Sequence, residues 1–401
     1  MRSAGSEALA EALVASRRDM LAAFASFERK LETLVVPRSA ESNPPLWELG
    51  HIGWFQEYWI ARNPQRALGA LADPDVPRQP GVRKEADLLY DSAKVAHATR
   101  WNLPLPDADA TRDDLRTQLD RTLGLLRVAD GSDEGLYFFR LALFHEDMHH
   151  EAATYMAHAL GFEVAETPAP ASLTGKRQTI EFDAGPWRLG FGDAGFAFDN
   201  ECRAHEVQMS GYRIDDRVVR WAEYLPFVEA GGYEQDRWWS DAGREWLRSR
   251  RQRAPRYLER TAHEWRRWWN GDWIALDPTL PACHLTQHEA FAWCNWAGRR
   301  LPTEAEWERA AIEAGDAFHW GEVWEWTSSA FAPYPGFSSH PYHAYSAPWF
   351  DGRPVLRGAS FATTPRMRHP RYRNFFGAER NDIYAGFRSC ADKEGAPTKT
   401  D

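Results

Sequence analysis

The chain has 401 residues, a formal net charge of -10, 43% hydrophobic and 26% charged residues. That length predicts two domains, each able to bury its own core. The acidic balance excludes general nucleic-acid binding, which relies on Lys and Arg neutralising phosphates, and no run of about 18 apolar residues is there to span a bilayer.

Residues 1 to about 162 read as helical. The opening MRSAGSEALAEALVASRRDM alternates charge with alanine, so it does not resemble a signal peptide and a cytoplasmic location is expected. Apolar positions recur at three- and four-residue intervals in ALAEALVASRRDMLAAFASFERKLETL, LWELGHIGWFQEYWIARN, TRDDLRTQLDRTLGLLRVA and EGLYFFRLALFHEDMHHEAATYMAHAL. Four such segments predict a four-helix bundle whose second and third helices are joined by a long connection over 63–110. Residues 163–177, containing ETPAPASLTGKR, read as a linker.

From 178 to 401 the pattern changes to short apolar runs, TIEFDAG, WRLGFG and VQMSGYRI, set between Gly, Asp and Pro. In this half only WAEYLPFVEAG and LTQHEAFAWCNWAG look helical, and the expectation is an α+β chain overall. The Arg- and Trp-rich run over 244–273 reads as a solvated helix face with snorkelling side chains. Cys202, Cys283, Cys294 and Cys390 are scattered without a C-x-x-C, so neither a zinc knuckle nor a disulfide framework is indicated.

The chemistry concentrates in LFHEDMHHEAATYMAHAL, where His145, Glu146 and His149 spell H-E-x-x-H. Residues four apart on a helix differ by about 40° around the axis, so His145 and His149 can hold one ion from one face. They share that face with Leu141, Met148, Ala152 and Met156, which turns it inward. One large class of zinc peptidases continues the motif with a glycine and a third histidine; here those positions hold Ala152 and Tyr155. A third ligand is better sought upstream, at His51, on the apolar stripe Trp47, Trp54, Phe55 and Tyr58. Three neutral imidazoles on one side of an ion leave other positions open, as an oxygen-activating iron(II) or a catalytic zinc requires.

The order LWELGHIG, LYDSAKVAHATRWNLPLP and FHEDMHHEA resembles the bundle domain of the ergothioneine sulfoxide synthases, which are nonheme iron enzymes. FAFDNE, AGRRLPTEAEWERAA, VWEWTSS, YPGF, VLRGASFA, RYRNFF and YAGFR resemble their partner domain, of the formylglycine-generating-enzyme type with a C-type-lectin-like core. The resemblance implies a DinB-like four-helix bundle followed by that domain, and implies Fe(II) held by His51, His145 and His149 with O2 as co-substrate. Glu146 then becomes an outer or surface residue and not a general base. Formylglycine-generating enzymes themselves act through a cysteine pair in the segment matching GASFATTPRMRHPRYR, which contains no cysteine here. A zinc hydrolase and a metal-free lectin-like binding module are the readings from other classes.

By the same resemblance, family members join a sulfur donor to the imidazole C2 carbon of N-alpha-trimethylhistidine (hercynine). Tyr342 and Tyr345 then match the active-site tyrosine pair, with Tyr342 as donor of a proton or electron. Asn374 and Phe375 match the positions that meet the trimethylammonium. The donor pocket departs from the γ-glutamylcysteine enzymes. Of their two carboxylate-clamping arginines the first position holds His97 and the second keeps Arg100; their aspartate position holds Phe376, Arg380 remains, and Met148 replaces a common Gln. Losing a bidentate arginine disfavours a dianionic thiol donor. The segment around His97 is most similar to the selenoneine synthases, which use a selenosugar, so a selenosugar is expected, with cysteine or γ-glutamylcysteine as the alternative.

Overall fold

The computed structural model describes residues 1–393. Its first half is built on α1 (Ser6–Lys30), α2 (Pro45–Gln56), a short α3 (Ala86–Tyr90), α4 (Ala108–Leu126) and α5 (Asp133–Leu160). Side-chain caps start the last two long helices: Asp107 accepts from the Ala110 amide, and Ser132 from that of Gly135. Gly161, at φ 87°, ends α5 in the left-handed region. The four long helices are those foreseen, and the connection between α2 and α4 carries α3 with two 3-10 turns, Arg66–Leu71 and His97–Asn102. One feature was not foreseen. After Gln56, α2 widens into π-helix over Glu57–Ala61, which an apolar periodicity does not distinguish from α-helix.

Among its described residues the second half carries twelve short strands: β1 (Thr179–Phe182), β2 (Gly185–Leu189), β3 (His205–Met209), β4 (Tyr212–Asp215), β5 (Leu258–Arg260), β6 (Trp265–Trp269), β7 (Asp272–Ala275), β8 (Trp324–Ala330), β9 (Pro354–Gly358), β10 (Asn374–Phe375), β11 (Ala385–Gly386) and β12 (Cys390–Asp392). They form sheets ordered β1-β4-β12, β10-β9-β8-β11, β2-β3 and β5-β6-β7. In the four-stranded sheet β8 and β9 pair antiparallel, Trp326 opposite Leu356, while β11 joins β8 in parallel.

Among the described residues four α-helices accompany these strands, where the sequence pattern predicts two. α6 (Trp221–Glu229) and α8 (Gln287–Trp296) are the expected ones; α7 (Asp241–Arg250) and α9 (Glu304–Glu313) are additional. α9 is short and charged, and a capping box between Thr303 and Glu306 starts it rather than a long apolar stripe. The reading of 244–273 as one helical face is corrected. Residues 244–250 lie in α7, a loop follows over 251–257, and the antiparallel β5-β6-β7 sheet takes up the remainder. The Asn270-Gly271 pair between Trp269 and Asp272 turns that hairpin with positive φ at both residues, the signature of a tight two-residue loop.

The two halves share one hydrophobic core. Trp47, Phe55, Phe138 and Phe144 of the bundle and Phe198, Trp324, Trp326 and Leu356 of the second half belong to the same buried cluster. Polar ties reinforce it along α5. The Glu151 carboxylate accepts from the Trp324 indole (2.8 Å), the Ser360 hydroxyl (2.6 Å) and the Thr363 hydroxyl (2.7 Å), and Arg366 forms a bidentate pair with Asp147. Helix α5 therefore serves as bundle wall and docking ridge at once.

Candidate metal centre

His51 stands on α2, and His145 and His149 stand on facing turns of α5; one nitrogen from each lies within 4.8 Å of the others. Nε2 of His145 and Nε2 of His149 are 3.2 Å apart. No fourth His, Cys, Asp or Glu joins the group among the described residues.

Neighbouring groups fix how two of the imidazoles present themselves. His51 Nδ1 lies 2.8 Å from the Tyr90 carbonyl oxygen, which can only accept, so Nδ1 carries the proton and Nε2 offers a lone pair. His149 Nδ1 donates in the same way to the Glu48 carboxylate. Burial works to raise the Glu48 carboxyl, but His149, His51 and the Asn43 amide outweigh it and hold it at about 2. Burial pushes His51 down to about 3 and takes His145 well below its usual value, so both rings stay neutral. Packing sets the ring planes: His51 stacks on Trp47 (4.7 Å, 11°) and His145 on Phe55 (3.6 Å, 3°).

His51 and His149 turn Nε2 lone pairs to one point, where His145 Nε2 also lies, and a cation there would complete the set. The donor set is neutral imidazole with an outer carboxylate and carbonyl orienting two rings, the usual support of a catalytic metal ligand. These residues therefore fit a divalent iron or zinc ion with open coordination positions.

Glu146 is buried, not at the surface. Its carboxylate is held by Arg17, Nε to Oε1 at 2.7 Å and Nη2 to Oε2 at 3.0 Å, on the α1 side of the helix. An acid locked into a buried bidentate pair is not free to act as general base. The hydrolase reading of H-E-x-x-H loses its base.

A cavity of about 240 Å³ adjoins His149; Met148, Tyr155, Trp324, Met367, Tyr372 and Phe376 supply most of its apolar wall, and Asn43, Glu48, Glu151 and Asn374 its polar groups. Among the described residues no arginine or lysine lines it. Tyr342 is packed edge-on against Phe55 at 4.8 Å, its ring centre 6.3 Å from that of His145, and burial pushes its phenol up to about 12. The Tyr345 hydroxyl lies 3.0 Å from that of Tyr372, and both donate to the Met148 sulfur, at 3.7 and 3.3 Å.

Of the residues singled out from sequence, Met148, Asn374 and Phe376 line this cavity. Phe375 turns away and stacks on Phe331 at 4.1 Å. Arg100 lies behind the wall: it stacks over Trp47 and donates to Asn43 (2.7 Å), whose amide in turn meets Glu48. His97 reaches the Ser42 carbonyl at 3.1 Å. Arg380 is engaged in a bidentate pair with Asp382. Sequence reasoning passed over Glu48, Asn43 and Tyr372. The only signal for Glu48 was its place three residues before His51, hence on the same helical face.

The bundle with its histidine group, facing a mixed domain of short strands across a shared cavity, defines a two-domain mononuclear metal enzyme. Residues 12–153 match the DinB superfamily, and residues 164–322 and 319–393 match the sulfatase-modifying factor enzyme 1-like domain. The chain is 32% identical to the hercynine oxygenase of Mycolicibacterium smegmatis over 417 aligned positions, covering 87% of this chain and 91% of that one. It is 30% identical to the hercynine oxygenase of Mycobacterium tuberculosis at the same coverage of both chains. Its likeness to the formylglycine-generating enzyme of Streptomyces coelicolor, 33% identity, spans 39% of this chain and 55% of that one. The chain belongs to the hercynine oxygenase family and is an oxidoreductase.

Proposed function

We propose that this enzyme uses iron(II) and O2 to join a chalcogen donor to the imidazole C2 carbon of hercynine, and that the donor is a selenosugar, which makes it a selenoneine synthase. The observation that carries the choice of donor is that, among the described residues, no lysine or arginine lines the cavity. A γ-glutamylcysteine donor brings two carboxylates, and burying them without a cation costs several kcal/mol each. Arg100 and Arg380 survive in the sequence but are committed to Asn43 and Asp382.

Iron(II) held by His51, His145 and His149 would supply the activation of O2 and the oxidation. Tyr342, protonated at neutral pH and packed beside His145, holds a phenolic proton next to the reacting atoms. Tyr345 and Tyr372 direct their hydroxyls onto the Met148 sulfur; Tyr372 lines the cavity, and Tyr345 stands behind it as a support for substrate placement. The aromatic faces of Tyr155, Trp324 and Phe376, with the Glu48 carboxylate, give the trimethylammonium a surface that asks for no N–H. Asn374 orients it at the β10 edge, with Phe375 packed behind; His97 stands where the thiol enzymes carry a clamping arginine.

The test is turnover with hercynine, iron(II) and O2 and each donor in parallel. Formation of the carbon–selenium product with the selenosugar is expected, at a rate above that with cysteine or γ-glutamylcysteine. Product from the thiols alone overturns the donor assignment and leaves an ergothioneine-type sulfoxide synthase.

A further inference from the structure

The β5-β6-β7 sheet walls a small internal pocket of about 20 Å³ that the reaction above does not use. Arg256, Tyr257, Arg267, Cys283 and His284 supply its polar groups, and indole rings with Pro170 and Phe361 supply the rest of its lining. Each of those polar side chains can donate a hydrogen bond, and among the described residues no carboxylate lines the pocket. Burial pushes both the Tyr257 phenol and the Cys283 thiol up to about 12, so both keep their protons at neutral pH.

The two guanidiniums of this pocket differ in their charge balance. Arg256 is paired with Glu41 at 3.1 and 3.2 Å. Arg267 has no such partner among the described residues: its guanidinium lies 4.4 Å over the Trp269 ring, and its Nε is buried without a hydrogen bond. The carboxylate that acts on it from a distance, Asp277, accepts instead from Ser172 and Thr279. Burial pulls the Arg267 guanidinium below its usual value, as expected for a cation set among aromatic rings without a counter-charge. Buried polar groups in folded proteins are normally paired. Here the Tyr257 hydroxyl and both ring nitrogens of His284, which is 6% exposed, also lack a hydrogen-bond partner. Tyr257 and His284 are held at φ 64° and 60°, in the left-handed region, and their rings meet at 4.9 Å. Strain of this kind in residues other than glycine gathers at ligand clamps.

We propose that this pocket binds one small monovalent anion of the halide class, with Arg267 as its counter-charge and the Tyr257 hydroxyl and Cys283 thiol among its donors. A void of this size holds one or two water-sized bodies, so a monatomic ion fits and a tetrahedral oxyanion does not. The aromatic wall selects further, since it offers little to a strongly hydrated anion. Crystals soaked in sodium bromide and measured at the bromine absorption edge test the site: a peak beside Arg267 is expected in the wild type and none in Arg267→Gln. In solution, the wild-type melting temperature is expected to climb by about 2 °C for each tenfold rise in chloride above its Kd, relative to gluconate at equal ionic strength. Arg267→Gln is expected to lose that climb. A wild-type pocket without a halide peak overturns the proposal, as does a variant that keeps the peak or the climb. A peak with no difference in melting between chloride and gluconate marks an adventitious ion only and overturns it as well. Both wild-type readings decide the matter even where the variant does not fold.

Discussion

At position 48 a buried carboxylate receives the Nδ1 proton of His149 on one oxygen and the Asn43 amide on the other, and Arg100 steadies Asn43 from behind. The chain of contacts orients a ligand without touching the ion. Glu48→Gln is expected to weaken iron binding by about 10–100-fold while the fold persists; a competition titration against a chelator measures it, and unchanged affinity contradicts the role. Tyr342→Phe should lower kcat with little change in either KM, since the ring is kept and only the proton is lost. Glu146→Gln separates this chemistry from hydrolysis. The substitution breaks the buried pair with Arg17 at a cost of roughly 3–5 kcal/mol of unfolding stability, while metal content and turnover of the folded fraction should stay close to wild type. The three histidines were legible because two at helical spacing on an inward stripe, plus one on another apolar stripe, have few other uses. Glu48 was not. It lies in the first turn of α2, where an acidic residue is ordinary for the helix dipole alone.

Helix α2 carries His51 at a position set by its neighbour Tyr90, whose carbonyl takes the His51 proton. Gly50 makes that approach possible: a Cβ there would meet the Tyr90 ring at 2.3 Å. Gly50→Ala is therefore expected to push the α3 end away and to lower both melting temperature and iron affinity. An alanine variant that binds iron like the wild type would show that the ring relocates without moving its carbonyl. Helices α1, α4 and α5 could be read from sequence because 3.6-residue periodicity over 19 or more residues has no competing explanation. Short elements escaped for the opposite reason. α9 spans ten residues and is launched by a capping box, and the β5-β6-β7 sheet hides in a run of Arg and Trp whose Asn270-Gly271 turn was the signal to follow.

Across the whole molecule, α5 binds the halves together, and its last turn meets the second domain through histidine. His158 stacks on His284 at 4.9 Å and 8°, with Tyr257, Tyr384 and Trp269 around the pair. Burial, helped by Arg267 and Arg256, pushes His158 down to about 4; burial, with His158 and Arg256, takes His284 well below its usual value. The unfolded chain takes up these protons near 6.5 and the folded protein does not. The stability they contribute is thus complete above pH 6.5 and is lost as pH falls from 6.5 toward 4. Urea unfolding across that window should show the loss, reduced in His284→Phe. An equal slope in wild type and variant would remove the pair from the account. No described helix is long and apolar enough to cross a membrane. What the sequence could not show at this scale is which charges are free. Arg100 and Arg380 look like substrate clamps in one dimension, and only the structure shows them bonded to Asn43 and Asp382.

The proposed chemistry depends on three imidazoles from two helices closing on one iron. Anaerobic titration of the metal-free protein with Fe(II), followed by X-ray absorption of the loaded wild type and of His51→Ala, tests this most directly. One iron per chain with three imidazole nitrogens is predicted for the wild type, and loss of the ion, or a drop to two imidazoles with sharply weaker binding, for the variant. A wild type that takes up no iron, or a variant that keeps the same coordination and affinity, would contradict it.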